Sequence, residues 1–282
     1  MKTPQLKVAI IGVGLLGGSL ALALKKNNKR QLIGWNHRAS SRKKASKLLP
    51  VASTFEKAVQ GADIVVLCTH SGTITPVLKQ LSRQIQPQTL ILDVSSVKGE
   101  VVKGASLIPG MNRHFVPCHP MAGKEKSGPA FADADLYKER FVFITPLPNT
   151  PGNLVQRAVR FWKETGAVPL VMDSQSHDRN VALTSHLPHL LASTLITLYG
   201  NQLHRSPALR QAVGSGFRDF TRIAGGNPAM WSDILEMNAV EIKSVLSQYR
   251  KTLGLLEKNL KKGKSKFWIS FFEKARSIRE KL

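Results

Sequence analysis

A glycine turn near the start of the chain restricts its fold more than any other feature. Gly12-Val13-Gly14-Leu15-Leu16-Gly17 stands between an apolar hexapeptide, residues 6–11, and a Leu/Ala-rich stretch over 15–26. The hexapeptide reads as a buried strand and the stretch after it as a helix. At such a junction the first glycine turns the chain, the second admits a pyrophosphate, and the third lets helix pack on strand. Free N–H groups at the helix N-terminus then meet the phosphates. All six residues, Gly12, Val13, Gly14, Leu15, Leu16 and Gly17, are therefore assigned to cofactor binding.

The segments that follow repeat the strand–helix unit. Strands are expected over Gln31–Trp35, over 62–69 around Ile64-Val65-Val66-Leu67, and over Leu90–Val94. Each is a continuous apolar run, as parallel strands buried on both faces require. Phe115–Cys118 is read as the last strand of this sheet, with later strands at Phe141–Ile144 and Val168–Met172 around a helix near 152–165. From Ser174 onward the pattern is helical, and 178–200 is Leu-rich. Ile242, Leu246, Tyr249, Leu253, Leu256 and Leu260 form a heptad seam, which suits either a helix packed on its own domain or a homodimer interface. The expected architecture is α/β. It has a Rossmann-type doubly wound sheet over residues 1–172, followed by an all-α dimerisation domain over 173–282.

The second strand ends in Asn36-His37-Arg38, with Arg42 close behind. A carboxylate at this point would bind a ribose 2′-hydroxyl and repel a 2′-phosphate. Cations stand here instead, so NADP is favoured over NAD as cofactor. Asn36, His37 and Arg38 are assigned to the cofactor, together with Thr69 and Ser95 at later strand ends.

Composition narrows the remaining classes. Two cysteines, Cys68 and Cys118, cannot build a disulfide framework and suit a reducing cytoplasm. Lys2 and Lys7 before the run Val8–Leu24 outline a signal peptide, but four glycines in that run favour a turn. No other segment is expected to span a membrane. A net charge of +23 invites a nucleic-acid reading. The basic residues are scattered, and no aromatic stacking platform accompanies them, so neither nucleic acid nor membrane is expected as a partner.

His119, in Cys118-His119-Pro120-Met121-Ala122-Gly123, falls at a strand end, where ligands bind in open α/β sheets. Its side chain titrates near neutrality and suits a proton acceptor beside a nicotinamide. Three runs resemble the prephenate/arogenate dehydrogenase family: Gly12–Ser19, Asp93-Val94-Ser95-Ser96-Val97-Lys98, and His119–Gly123. Ser185-His186-Leu187-Pro188-His189 and Gly216–Arg222 in the helical half agree. The resemblance implies oxidative decarboxylation of prephenate to 4-hydroxyphenylpyruvate in tyrosine biosynthesis. It implies that His119 takes the ring-hydroxyl proton, that Ser96 orients the hydroxyl, and that Arg222 grips a carboxylate. His189 is implied to lie near the substrate side chain. Arg218, four residues before Arg222, is a further substrate-binding candidate. Lys124 stands where the family often has a small polar residue, and either adds a cation for the substrate or pairs with Glu125. Asp178, eleven residues before His189, is expected on nearly the same helical face, where it could orient His189. His186 and His189 lack the further ligands of a metal site, and no metal is expected. The chain stops at Leu282, so tyrosine feedback is expected to act at the active site.

Two other readings remain. Arogenate dehydrogenase with NADP is the nearer one. A β-hydroxyacid dehydrogenase or imine reductase would share the two-part fold, but would use a lysine base or a different pocket.

Overall fold

The continuous apolar runs become a parallel sheet with strand order β2-β1-β3-β4-β5. Its strands are β1 Leu6–Ile11, β2 Arg30–Trp35, β3 Ile64–Leu67, β4 Leu90–Asp93 and β5 Phe115–Val116. The computed structural model describes residues 5–26, 30–124 and 126–282. Strand residues alternate between two apolar layers. Val8 and Ile10 pack with Leu20 and Leu24 of α1 (Leu15–Lys25) on one side. Ala9 and Ile11 face the opposite layer, which contains Phe55, Ile74, Leu78 and Val101. That layer is built by α3 (Phe55–Val59), α4 (Ile74–Leu81) and α5 (Gly99–Ser106), while the short α2 (Ala39–Ala45) follows β2. Helices on both faces explain why the strands are apolar throughout rather than alternating. The order reverses between β1 and β3, so the ligand crevice lies outside their carboxyl ends.

The expected strand Phe115–Cys118 is split. Phe115 and Val116 pair with β4, whereas β6 (Cys118–Pro120) leaves to pair antiparallel with β7 (Phe141–Ile144). β7 in turn pairs parallel with β8 (Val168–Val171), so the later strands make a separate sheet of order β6-β7-β8. The break is at Pro117, which has no N–H to continue the ladder. Cys118 N–H instead donates to Asp93 Oδ1 at 2.7 Å. α6 (Gly152–Lys163) covers both sheets with Leu154, Ala158, Phe161 and Trp162.

The helical half begins at α7 (Ser174–Val181), capped by Asp173 through Ser176 N–H at 2.8 Å. A π-turn over Ala182–His186 joins α7 to α8 (Leu187–Leu203). Pro188 follows at once and cannot donate to the carbonyl four residues back, which is where a wider turn costs least. α9 (Ser215–Thr221), α10 (Pro228–Met237), α11 (Ala239–Asn259) and α12 (Ser265–Arg279) complete the chain. Ala182, Leu187, Ile242 and Val245 form the small core of this half. Within the combined helix Ser174–Leu203 an 18-residue window of mean hydropathy 1.3 is long and apolar enough to cross a membrane by length and composition; the sequence reading allowed for no such segment here. The helix carries His177, Asp178, His186 and His189, all buried against neighbouring elements.

Candidate active site

The glycine turn has the geometry a dinucleotide needs. Gly12 has φ +98°, and a Cβ there would lie 2.4 Å from the Cys68 carbonyl oxygen. A Cβ on Gly17 would lie 2.3 Å from Gly12 O, so helix and strand meet at a distance only glycine permits. At Gly14 the space is open, as backbone that must be approached by a pyrophosphate should be. Val13, Leu15 and Leu16 turn their side chains into the core and offer only backbone to a ligand.

A cavity of about 720 Å³ lies beyond the ends of β1, β2 and β3, lined by Trp35, His37, Arg42, Phe55, Thr69 and His70 among others. This suits the adenosine end of a dinucleotide. Asn36 is buried and accepts the Val13 N–H at 2.6 Å, so it holds the glycine turn. Arg42 donates to Asn36 O and His37 O, both at 2.8 Å. Arg38, before α2, is exposed, as is His37.

At the end of β4 the chain builds a buried polar clamp. Lys98 and Asp93 form an ion pair of 2.6 Å with both side chains fully buried. Lys98 Nζ also donates to Cys118 O at 2.7 Å. Asp93 and Lys98 thus grip both backbone groups of Cys118 and fix where His119 emerges. Ser95 is used internally, its hydroxyl donating to Asp93 Oδ2. Ser96 follows in the same turn and is half-buried.

His119 is buried and its Nδ1 shares a hydrogen bond of 2.8 Å with His177 Nε2. His177 Nδ1 in turn lies 2.7 Å from Asp178 Oδ1. Asp178 is anchored at the start of α5, accepting Lys98 N–H at 2.8 Å and Gly99 N–H at 2.7 Å. Burial holds the His119 imidazole well below its usual pKa, reinforced by His177, Lys98 and His186. Burial lowers His177 too, against the opposing pull of Asp178. The imidazoles are therefore neutral at pH 7, the form a base requires.

Asp178 does not meet His189: eleven residues of helix separate them by about 16 Å along its axis, and the Asp178 oxygens are taken by Lys98 N–H, Gly99 N–H and His177. His189 instead stacks on Trp231, ring centroids 3.5 Å apart and planes at 10°. It also bonds the backbone of Ile223, and burial lowers its pKa. Arg222 opens the short turn Arg222–Gly225 beside that contact. His186 is pushed down to about 4 by burial and pairs with Asn238 at 3.1 Å.

Two candidates lie apart from this cluster. Arg218 lines a separate cavity of about 380 Å³ with Tyr199, Arg210 and Phe217, and donates to Val213 O at 3.4 Å. Lys124 is paired with Asp133 at 2.9 Å; Glu125, the alternative partner, lies outside the described residues. Among the described residues no group of three or more His, Cys, Asp or Glu side chains could hold a metal.

Sequence reasoning missed His177, Lys98 as the clamp, Trp231 and Asn238. The dipeptide His177-Asp178 just after a helix start was the available signal for the first.

A glycine-turn sheet, a neutral histidine at its carboxyl edge and an abutting helical half define a two-part NAD(P)-dependent dehydrogenase. Residues 20–171 match the nucleotide-binding domain of prephenate dehydrogenase, and 173–274 match its dimerization domain. The chain therefore belongs to the prephenate dehydrogenase family. It is 31% identical to a cyclohexadienyl dehydrogenase of Zymomonas mobilis, over 96% of this chain and 94% of that protein. It superposes on prephenate dehydrogenase from Aquifex aeolicus, solved with hydroxyphenyl propionate and NAD+, with TM-score 0.89 and 28% identity, covering 100% and 99% of the two chains. Arogenate dehydrogenase from Synechocystis gives TM-score 0.82 at 27% identity over 98% and 99%.

Proposed function

We propose that the protein oxidatively decarboxylates prephenate to 4-hydroxyphenylpyruvate in tyrosine biosynthesis. The observation that carries this reading is the buried His119 at the carboxyl edge of the sheet, its Nδ1 held by His177. His119 draws the ring-hydroxyl proton, and Ser96 orients that hydroxyl. As the C–O bond gains carbonyl character the ring carboxylate departs as CO2, and aromatisation drives the step. Arg222 binds a substrate carboxylate and His189 contacts the side chain, while Arg218, in its separate cavity, and Lys124, paired with Asp133, take no part in this reading.

The nicotinamide dinucleotide, when bound, accepts the hydride. Gly12–Gly17 and the cavity edged by His37, Arg42 and Thr69 would hold it, with Ser95 fixing the β4 turn below. NADP is the preferred form in this reading, supported by the exposed Arg38 cation and by Asn36 in place of a carboxylate. The chain divides at 172/173, after β8 ends at Val171 and before α7. The helical half forms a homodimer. Two unpaired cysteines support a reducing cytoplasmic setting, and neither nucleic acid nor membrane enters this reading.

Arogenate is the second substrate to weigh. A neutral His189 that spends one N–H on the Ile223 backbone leaves its other nitrogen as an acceptor, which suits an ammonium group. Steady-state rates of both substrates with both cofactors decide between them. His119→Asn is expected to lower kcat about 10²–10⁴-fold with dinucleotide binding intact. Undiminished turnover in that variant, or no nicotinamide reduction by the wild type with either substrate, would refute the reading.

A further inference from the structure

We propose that His177 and Asp178 are positioning residues that hold His119 in a single tautomer, with Nδ1 protonated and Nε2 bare as the base. The proposal rests on the functional reading only for what the base acts on. The tautomer itself is a property of the free protein.

The argument runs along the hydrogen bonds from the fixed end. Asp178 accepts backbone N–H groups at both oxygens, from Lys98 and Gly99. A carboxylate only accepts, so the proton in its 2.7 Å contact with His177 belongs to His177 Nδ1. With His177 neutral, its Nε2 is then a lone pair. The 2.8 Å contact between that lone pair and His119 Nδ1 must carry the His119 proton. The remaining nitrogen, His119 Nε2, is left unprotonated and makes no hydrogen bond among the described residues.

The surroundings offer no competing arrangement. His119 is faced by His177, Lys98 and His186, and His177 by Asp178, Lys98 and Asp93. Lys98 is committed to Asp93 and Cys118 O. The Phe143 ring, opposite His119 in the sheet register, sits edge-on to His177 at 5.4 Å. Among the described residues no carboxylate bonds His119 directly. When a substrate hydroxyl gives up its proton, that proton arrives at Nε2, while the Nδ1 proton stays in place. The new positive charge then faces Asp178 through His177. The logic is that of a serine-protease triad, in which the carboxylate sets the tautomer and stabilises the imidazolium, here with a second imidazole interposed.

Long-range ¹H–¹⁵N spectra of the wild-type protein at pH 7 without substrate test this, with His119 assigned by comparison with His119→Asn. The expected pattern is a protonated Nδ1 and an unprotonated Nε2. The opposite tautomer, or an imidazolium, would overturn the proposal. Kinetics give a second readout. His177→Leu should lower kcat about 10²-fold while the substrate KM changes by less than about threefold. His177→Gln keeps an acceptor and a donor in place, and should recover much of that loss. Equal behaviour of Leu and Gln would overturn the proposal, because a purely packing role favours neither polar group. A wild-type protein that reduces neither cofactor would sink the functional reading, with the spectra still deciding this one.

Discussion

At the scale of single residues, the site depends on charges that are buried yet never left alone. Lys98 and Asp93 are both fully buried, a pairing costly to desolvate and costlier to break. Their position is explained by what they hold, the Cys118 backbone on either side of which the chain changes sheets. The same buried environment makes His119 a base over an unusually wide pH range. Burial lowers its pKa, with His177, Lys98 and His186 adding to the effect. The neutral form is the active one, so a lowered pKa extends activity toward acid rather than cutting it off. The acid limb of kcat/KM, which reports the free enzyme, is therefore expected below pH 6.5, the ordinary value for histidine. A pH–rate profile checks this, and a limb at or above 6.5 would show that His119 is not buried as described.

At the scale of elements, the turn from β1 to α1 is where one atom matters most. Gly12→Ala would force a Cβ against the Cys68 carbonyl at 2.4 Å with φ +98°. The left-handed conformation alone costs a non-glycine residue about 1–2 kcal/mol, and the clash with backbone adds to it. The expected result is a lower melting temperature and at least tenfold weaker dinucleotide binding by titration, with helical content kept. This turn was legible in the sequence because its function is local: strand, glycines and helix are contiguous. The parallel strands were legible for a related reason, since burial on both faces makes each an unbroken apolar run. What escaped depended on distant partners. Pro117 ends β5 for want of an N–H, but the new course of the chain rests on Asp93, distant in sequence, which accepts the Cys118 N–H. Asp178 misses His189 because sharing a helical face does not bring together side chains three turns apart along the axis, and Asp178 is drawn instead to the backbone at the start of α5. His177 lies far in sequence from His119 and belongs to no spaced motif, so only the packing of α7 on α5 brings the two imidazoles together.

At the scale of the whole molecule, the helical half exposes more apolar surface than one chain can account for. The heptad seam divides along its length. Ile242 is buried and Tyr249 packs on the small core, whereas Leu246, Leu253 and Leu260 are 42%, 46% and 73% exposed. On α12, Ile269 and Phe272 are exposed as well, at 58% and 61%. A patch of this kind marks an interaction face, and the match of residues 173–274 to a dimerization domain supports a second copy as its occupant in the proposed homodimer. Symmetry sharpens the expected effect of changing it. In a two-fold interface each substitution counts twice, and burying one leucine side chain contributes about 1.5–3 kcal/mol. Leu253→Glu should therefore weaken dimerisation by about 10²-fold or more, giving monomers by sedimentation at micromolar concentration. Lys243→Glu, on the same helix but outside the seam, should leave the dimer intact. If Leu253→Glu sediments as an unchanged dimer, the seam faces solvent and the subunits meet through another part of the helical half.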